Sequence, residues 1–206
     1  MLRPDHVVLA VRDLEASSSR LWEEHGLRFR AGGRHPRWGT GNMIAPLGET
    51  YLELLAVVDP EVGPNTILGR SLLERSADGD RWWSVCLADD DLEATAARLG
   101  LDVQPGSRRR PDGVDVRWRG AGIEERGDDL WLPFFIAWDV PRELHPGAAR
   151  ADHRLDVAGI SRVDVGGDED RLRAWVGGAD VPIRVVDGEP GVQAVVFSLG
   201  TGELVL

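Results

Sequence analysis

The sequence predicts an α+β fold built from three consecutive β-α-β-β-β units, the third of them shorter than the first two. Three segments follow one plan, in which an apolar strand leads to an Asp, a helix follows, and a Gly ends the helix. The Asp residues are Asp13, Asp91 and Asp168, which are separated by 78 positions (13 to 91) and 77 positions (91 to 168). Such equal spacing of matched elements indicates an internal repeat.

The first unit covers residues 1–58. Asp13 is a natural N-cap, and Leu14, Ser18, Leu21 and Trp22 fall on one face of the helix that follows it. Three strand-like runs come next, "LRFRAGG", "GNMIAPLG" and "TYLELLAV". These elements complete one β-α-β-β-β unit.

The second unit covers residues 80–139 and repeats this order. After the strand "RWWSVCLA", Leu92, Ala96 and Leu99 share a helical face behind Asp91. Gly100 can adopt the left-handed conformation that ends a helix. The later strands are "LDVQPGS", "VDVRWRG" and "LPFFIAWDV".

The third unit covers residues 159–206 and is shorter. Its helix opens at Asp168, presents Leu172, Trp175 and Val176 on one face, and is followed by Gly177. The strand-like runs after it are "PIRVVDG", "VQAVVFSLG" and "GELVL". The segments between units, residues 59–80 and 140–158, are rich in Pro, Gly and charge, which predicts linkers.

Composition excludes several classes of function. The formal net charge of −11 argues against nucleic acid as a partner. No apolar run approaches the roughly 18–20 residues of a membrane span, and no signal-peptide layout is present, so we expect a cytoplasmic protein with no membrane partner. All 24 basic residues are Arg, which removes lysine Schiff-base chemistry. The single cysteine, Cys86, excludes an internal disulfide and is expected to be a core residue.

One carboxylate, Glu53, lies inside an apolar strand-like run, Tyr51 to Val57. Burying an unpaired carboxylate is costly, so this pattern favours a Glu that faces a cavity or forms an ion pair. Alternation along a strand sends Glu53 and Leu55 to one side of the sheet and Leu52 and Leu54 to the other.

The Gly- and Pro-rich segment before this strand carries His35, Trp38, Thr40 and Asn42, and it is expected to be a loop. These side chains either satisfy the backbone of that loop, as Asn and Thr commonly do, or contact a ligand. Because the segment leads directly into the strands that carry Glu53, we expect it to border the same site.

Three stretches, "DHVVLAVRDL", "GGRHPRWGTGNMIAPLGETYLELLAV" and "LPFFIAWD", resemble the glyoxalase-like domain family of the vicinal oxygen chelate superfamily. That superfamily includes glyoxalase I, extradiol dioxygenases and bleomycin-resistance proteins. The resemblance covers residues 1–139 and implies that two units form a cup around a divalent metal. Superfamily ligands, typically His and Glu, come from the first and last strands of each unit, and they map onto His6 and Glu53 in the first unit.

The second unit departs from this pattern. Counted back from the N-cap Asp of each unit, Ser84 matches His6, and Phe134 in "PFFIA" takes the place of Glu53 in "LELLA". Neither Ser84 nor Phe134 is an expected metal ligand. Catalytic divalent sites usually have three protein ligands, and the two units supply only two.

The third unit does little to repair this deficit. Its matching position is Ser161, a poor ligand, and Glu203 would contribute only if the unit folded over the same cup. We therefore expect no cofactor. If a divalent metal binds, His6 and Glu53 are the ligands that the resemblance implies.

The aromatic residues of the second unit suggest what the cup holds. They are Trp83, Trp118, Trp131, Phe134, Phe135 and Trp138. Half are expected in the core under the helix and half on the wall of the cup, and aromatic walls suit a flat or apolar molecule.

Two groups of polar residues have simpler interpretations. Arg108, Arg109 and Arg110 indicate a solvated strand edge, with attraction of an anionic ligand as the alternative. His145 and His153 lie in the segment predicted to be a linker, where we do not expect a metal site.

These observations predict a glyoxalase-like protein that binds a small, partly aromatic or apolar molecule without a catalytic metal. The alternative is a metal-dependent lyase, isomerase or dioxygenase that uses His6 and Glu53 with ligands from elsewhere. In either case we expect the third unit to pair with its counterpart in a homodimer. The predicted ligand-binding residues are His6, His35, Trp38, Thr40, Asn42, Glu53, Trp83 and Phe134.

Overall fold

The computed structural model describes residues 1–206, the whole of the sequence. The first unit consists of β1 (Leu2–Ala10), α1 (Leu14–His25), β2 (Arg30–His35), β3 (Thr40–Leu47) and β4 (Thr50–Val57). A connection follows that contains a 3-10 turn (Gly63–Asn65) and helix α2 (Ile67–Arg75). This connection is more than a linker, because α2 buries Leu68 and Leu72 in the core inside the barrel described below.

The second unit consists of β5 (Arg81–Asp89), α3 (Leu92–Leu99), β6 (Gln104–Arg109), β7 (Asp115–Ala121) and β8 (Phe134–Trp138). Two 3-10 turns (Arg142–Leu144 and Pro146–Ala148) lie in the segment before the third unit. The third unit consists of β9 (Val157–Gly166), α4 (Glu169–Trp175), β10 (Ile183–Val186), β11 (Gly191–Leu199) and β12 (Glu203–Val205).

The predicted helix caps are present in all three units. The side chains of Asp13, Asp91 and Asp168 accept hydrogen bonds from backbone N–H groups at the starts of α1, α3 and α4. Gly26 and Gly100 follow α1 and α3 with φ of 66° and 67°, the left-handed conformation that Gly adopts without steric cost. Local sequence therefore sets where these helices begin and where α1 and α3 end.

The eight strands of the first two units close into a barrel in the order β1-β4-β3-β2-β6-β7-β8-β5. Within the units, β1 is parallel to β4 and β5 is parallel to β8, and the units meet where β1 and β5 pair antiparallel. The other seam, between β2 and β6, is paired only at Arg34 and Arg109. The barrel is therefore tightly closed on one side and loosely closed on the other.

The third unit has the predicted order of elements but a different pairing. Its sheet order is β10-β9-β11-β12, so its first strand lies between its second and third strands. In the first unit, by contrast, the first strand pairs with the last. The third sheet packs on the outer face of the barrel, with β11 beside β5 and β9 beside β3 and β4. Glu203 is exposed on this sheet and does not reach the inside of the barrel.

Alternating side chains divide the protein into two apolar cores. The outer core lies under the helices and the third sheet, and it includes Leu52, Leu54 and Phe197. The inner core lies inside the barrel and includes Leu55 and Phe134. The alternation predicted around Glu53 is confirmed, because Leu52 and Leu54 face outward and Leu55 faces inward.

Candidate functional site

A cavity lies inside the barrel, with aromatic walls and a few convergent polar groups. Its volume is about 60 Å³, which admits a small molecule. Its lining residues are His6, Val8, His35, Trp38, Asn42, Tyr51, Glu53, Leu55, Trp83, Arg108, Trp118, Ile123, Phe134, Ile136 and Trp138. We refer to this cavity as the cup.

The structure brings together all but one of the predicted ligand-binding residues. Those that line the cup are His6, His35, Trp38, Asn42, Glu53, Trp83 and Phe134. The exception is Thr40, which is fully buried and whose Oγ1 forms a 3.0 Å hydrogen bond with His35 Nδ1. Thr40 therefore orients a lining residue without lining the cup itself.

The segment predicted to be a loop is in fact a β-hairpin. His35 ends β2, Thr40 begins β3, and only residues 36–39 form the turn. Gly39 has a φ of 64°, and a side chain there would collide with the backbone N of Gly63. The hairpin borders the cup as expected, but it is held as regular sheet, because β3 pairs along its length with β4.

Glu53 faces the cup and has two polar neighbours. It is 7% exposed, and its Oε1 accepts a 2.5 Å hydrogen bond from Asn42 Nδ2. Its Oε2 lies 3.6 Å from His6 Nε2, which is longer than a normal hydrogen bond. His6 stacks on Tyr51 with ring centroids 4.4 Å apart. His6, Glu53 and Asn42 thus form one polar cluster on the wall of the cup.

Asp5 supports this cluster and was missed in the sequence. Its side chain is buried, and the residue is 2% exposed. Its Oδ1 lies 2.6 Å from His6 Nδ1. Its Oδ2 accepts a 2.8 Å hydrogen bond from Trp138 Nε1 and lies 3.1 Å from His145 Nε2. Desolvation raises the pKa of Asp5, but the hydrogen bonds from His145 and His6 outweigh it and leave the pKa well below its usual range. An ionised carboxylate only accepts hydrogen bonds, so His6 carries a proton on Nδ1 and directs Nε2 towards Glu53.

The contact between Asp5 and His6 depends on an irregularity in β1. Neighbouring residues of a regular strand point to opposite faces of the sheet. The pairing of β1 with β5 shifts register between Pro4 and His6, and Asp5 is the residue between them. A bulge of this kind re-aims side chains, and no simple sequence pattern announces it.

The second unit places a buried cation beside the position that matches His6. Ser84 Oγ donates to the Leu130 carbonyl at 2.8 Å and accepts from Arg126 Nη1 at 2.6 Å. The Arg126 guanidinium also donates to the Leu132 carbonyl at 2.5 Å and lies 5.2 Å from the ring centroids of both Trp83 and Phe134. Desolvation lowers the pKa of Arg126 to about 9, so the side chain remains a cation at neutral pH.

These residues do not fit a catalytic divalent metal. His6 Nε2 and Glu53 Oε2 are spaced like two ligands of one ion, but a catalytic site usually needs three. Ser84 is already bonded to Arg126, whose positive charge opposes a second cation. Asp5, His6 and Cys86 also lie close together, yet Asp5 and His6 are joined by a hydrogen bond and burial raises the pKa of the Cys86 thiol, which favours the neutral form.

The aromatic residues of the second unit divide between the cup and the outer core, but not in the equal halves that the sequence predicted. Trp83, Trp118, Phe134 and Trp138 line the cup. Trp131 and Phe135 belong to the outer core. The ring centroids of His35 and Trp118 lie 5.8 Å apart, and the angle between the ring planes is 89°. Desolvation lowers the pKa of His35 to about 4, so the side chain is neutral at pH 7.

The interpretation of residues 108–110 as a solvated strand edge is wrong for Arg108. Arg108 is 5% exposed and lines the cup, whereas its neighbour Arg109 is exposed. The alternation of β6 turns Arg108 inward, and Gly32 on β2 leaves room for its guanidinium next to Asn42. In the sequence the three arginines are equivalent, and only the closure of the barrel shows that Arg108 is buried.

The two histidines of the segment before the third unit have structural partners. His145 contacts Asp5, as described above. His153 Nδ1 accepts from the backbone N of Arg28 at 3.0 Å, and its Nε2 donates to the Pro46 carbonyl at 2.8 Å. The segment therefore packs against the barrel and does more than connect two units.

The family model described as "Glyoxalase-like domain" matches residues 5–177. The chain belongs to the glyoxalase-like domain family, which confirms the resemblance drawn from the sequence. No curated protein matches the chain. None of its helices has the length and apolar character needed to cross a membrane.

Comparison with solved structures finds similar chains at low sequence identity. A hypothetical protein from Staphylococcus aureus superimposes with a TM-score of 0.72 at 20% identity, covering 93% of this chain and 88% of that chain. Methylmalonyl-CoA epimerase from Streptomyces coelicolor, in complex with 2-nitronate-propionyl-CoA, gives a TM-score of 0.47 at 19% identity, covering 67% of this chain and 98% of that chain. Methylmalonyl-CoA epimerase from Mycobacterium tuberculosis gives 0.48 at 16% identity, covering 69% and 90%.

Proposed function

We propose that this protein binds a small, partly aromatic or apolar molecule in the cup without a catalytic metal. The observation that carries the proposal is the lining of the cup, in which ten of fifteen residues are hydrophobic. A mostly apolar pocket with a few placed polar groups is the usual form of a small-molecule site. Glu53 and Asn42 supply those polar groups at one end.

Glu53 is the anchor of the ligand in this proposal. Its carboxylate is held by Asn42, and in the proposal it accepts a hydrogen bond from a polar or cationic end of the ligand. Trp83 and Phe134, whose ring centroids lie 5.9 Å apart, cover the apolar part. A metal is not required, because the ligand is recognised by side chains already in place.

Titration with benzamide tests the proposal, because this small aromatic carries an amide donor. Trp38, Trp83, Trp118 and Trp138 line the cup, so occupancy changes the intrinsic fluorescence. We expect saturable binding to the wild type and a loss of about tenfold to a hundredfold in Glu53→Gln, the effect of one charge-assisted hydrogen bond.

The exposed Glu203 supplies the matched control, and Glu203→Gln should bind benzamide like the wild type. Glu53→Gln should lose only about 1 kcal/mol or less of stability, since the amide keeps the shape and one acceptor. A Glu53→Gln protein that melts far earlier than the wild type but binds equally well would make Glu53 structural and contradict the proposal.

Metal analysis of the purified protein provides an independent check. We expect no stoichiometric divalent ion and no change in benzamide affinity after treatment with EDTA. About one zinc, nickel, iron or manganese ion per chain, lost in His6→Ala, would instead support a metal-dependent enzyme.

A further inference from the structure

Arg108 stands between the cup and a second cavity. It lines both spaces. The second cavity, which we call the groove, has a volume of about 230 Å³ and is also lined by Arg30, Arg110, Pro111 and Leu144. One buried cation is therefore shared by an apolar chamber and a more polar groove.

The sheet is loosest where these two spaces approach each other. β2 and β6 are paired only at Arg34 and Arg109. Gly32 on β2 has no side chain, and a Cβ there would lie 2.6 Å from Arg108 Nη1 and collide with Asn42 Oδ1. The seam between the two units thus leaves space around the Arg108 guanidinium instead of filling it with side chains.

Arg108 has almost no partner within the protein. Its five N–H donors make one hydrogen bond, from Nη1 to Asn42 Oδ1 at 3.5 Å, and it forms no ion pair. Arg110, by contrast, is paired, since its Nη2 lies 2.7 Å from Asp112 Oδ2. Buried arginines are almost always paired, so an unpaired one in a cavity wall points to a partner that comes from outside the chain.

The charges around Arg108 favour an anion on the side of the groove. Desolvation lowers the pKa of Arg108, and the charge of Glu53 offsets only part of this effect. At the groove, Arg30 adds positive charge, Arg110 and Asp112 pair with each other, and Glu143 is exposed. On the side of the cup, Asn42 lies between Arg108 and Glu53 and bonds to both.

We propose that Arg108 is an anion-binding subsite that takes the carboxylate or phosphate of a ligand whose aromatic or apolar body occupies the cup. The inference rests on the proposed function, and it adds the ligand's chemical class. The body lies against Trp118, which faces Gly106 on the strand of Arg108, and the anion lies at the seam. A guanidinium can bind either anion through two parallel hydrogen bonds.

The test compares three probes of similar size: benzoate, phenyl phosphate and the neutral benzamide. Binding is followed by tryptophan fluorescence and by calorimetry. We expect at least one of the anions to bind more tightly than benzamide, and the stronger anion identifies the group recognised. Arg108→Met should weaken that anion by about tenfold to a hundredfold and leave benzamide unchanged.

Arg109 offers a matched control, because it is the next residue on the same strand and is exposed. Arg109→Met should leave all three affinities unchanged. Arg108→Lys keeps the charge without the planar fork, so it should retain part of the anion affinity, and it also serves as the test variant if Arg108→Met fails to fold.

Three results would overturn the inference and leave the cup proposal standing. The first is equal binding of the anions and benzamide, and the second is an equal effect of Arg108→Met and Arg109→Met on the anions. The third is a sharp fall in the melting temperature of Arg108→Met with unchanged anion affinity, which would make Arg108 a structural partner of Asn42. Absence of binding by all three probes would reject both the subsite and the proposed function.

Discussion

Asp5→Asn perturbs a buried carboxylate that has three side-chain hydrogen-bond partners. In the wild type, Asp5 accepts hydrogen bonds from His6 through one oxygen and from Trp138 and His145 through the other. Asn keeps one acceptor oxygen but replaces the other with an NH2 group. With the NH2 group towards Trp138 and His145, a donor faces two donors; with it towards His6, His6 must give up the proton on Nδ1, in a site that is 2% exposed.

The expected loss of stability follows from this conflict. A broken charge-assisted bond and a buried unsatisfied donor together cost about 2–4 kcal/mol. For a domain of this size each kcal/mol moves the melting temperature by roughly 2–4 °C, so we expect a fall of about 5–15 °C at pH 7. The variant should also lose ligand affinity, because His6 is no longer held in one tautomer.

The pH dependence provides a second and more specific readout. The pKa of Asp5 is lower in the folded state than in the unfolded chain, where it is about 3.9. Its stabilising contribution is therefore complete above about pH 4 and is lost as the pH falls below that value. The stability difference between the wild type and Asp5→Asn should shrink between pH 5 and pH 2.

Urea unfolding followed by circular dichroism at several pH values measures both effects. Asp187 is exposed and makes no side-chain hydrogen bond, so Asp187→Asn should match the wild type throughout. The reasoning is refuted if Asp5→Asn unfolds within about 0.5 kcal/mol of the wild type at pH 7, the range of ordinary surface substitutions. A difference that stays constant down to pH 2 would refute the assignment of the ionised state.

Three further substitutions test other parts of the site. Desolvation lowers the pKa of His35 from 6.5 to about 4, so the unfolded chain binds this proton at a higher pH than the folded protein does. The free energy of unfolding should therefore fall by up to about 3 kcal/mol as the pH drops from 6.5 to 4. His35→Gln should remove this pH dependence in urea titrations. Arg126→Met should lower the free energy of unfolding by about 2–4 kcal/mol in urea at pH 7, because Ser84 Oγ and the Leu132 carbonyl lose the hydrogen bonds that they accept from Arg126. Gly32→Ala should weaken benzoate binding in fluorescence titrations by displacing the Arg108 guanidinium.

Each of these predictions has a contradicting outcome. A wild-type slope between pH 6.5 and 4 that persists in His35→Gln would assign the slope to another group. An Arg126→Met protein as stable as the wild type would mean that the apolar chain repacks around Ser84 at no cost. Unchanged benzoate affinity in Gly32→Ala would place the anion away from Arg108.

The starts of three helices and the inward face of Glu53 were readable from the sequence because local interactions set them. The Asp residues that cap α1, α3 and α4 bond to backbone groups two or three residues away. The alternation that turns Glu53 inward follows from strand geometry over a few residues. These signals depend on neighbours in the chain, so they survive without knowledge of the fold.

The register of the barrel was also partly predictable. The repeat predicted that Ser84 occupies the position in the second unit that His6 occupies in the first, and that Phe134 likewise corresponds to Glu53. In the structure Val8 pairs with Glu53 and Cys86 pairs with Phe134, as an internal repeat requires. The repeat carries this information because equal spacing implies equal geometry.

The polar chemistry of the cup was decided by tertiary structure. Asp5 reaches His6 only through an irregularity in β1, Arg108 is buried only because β6 closes beside β2, and Arg126 fills the place beside Ser84 from a distant loop. The third unit repeats the order of elements, but its strands pair differently and keep Glu203 outside. Strand pairing joins residues far apart in the chain, and local sequence sets the faces of each strand but not which strand lies beside it.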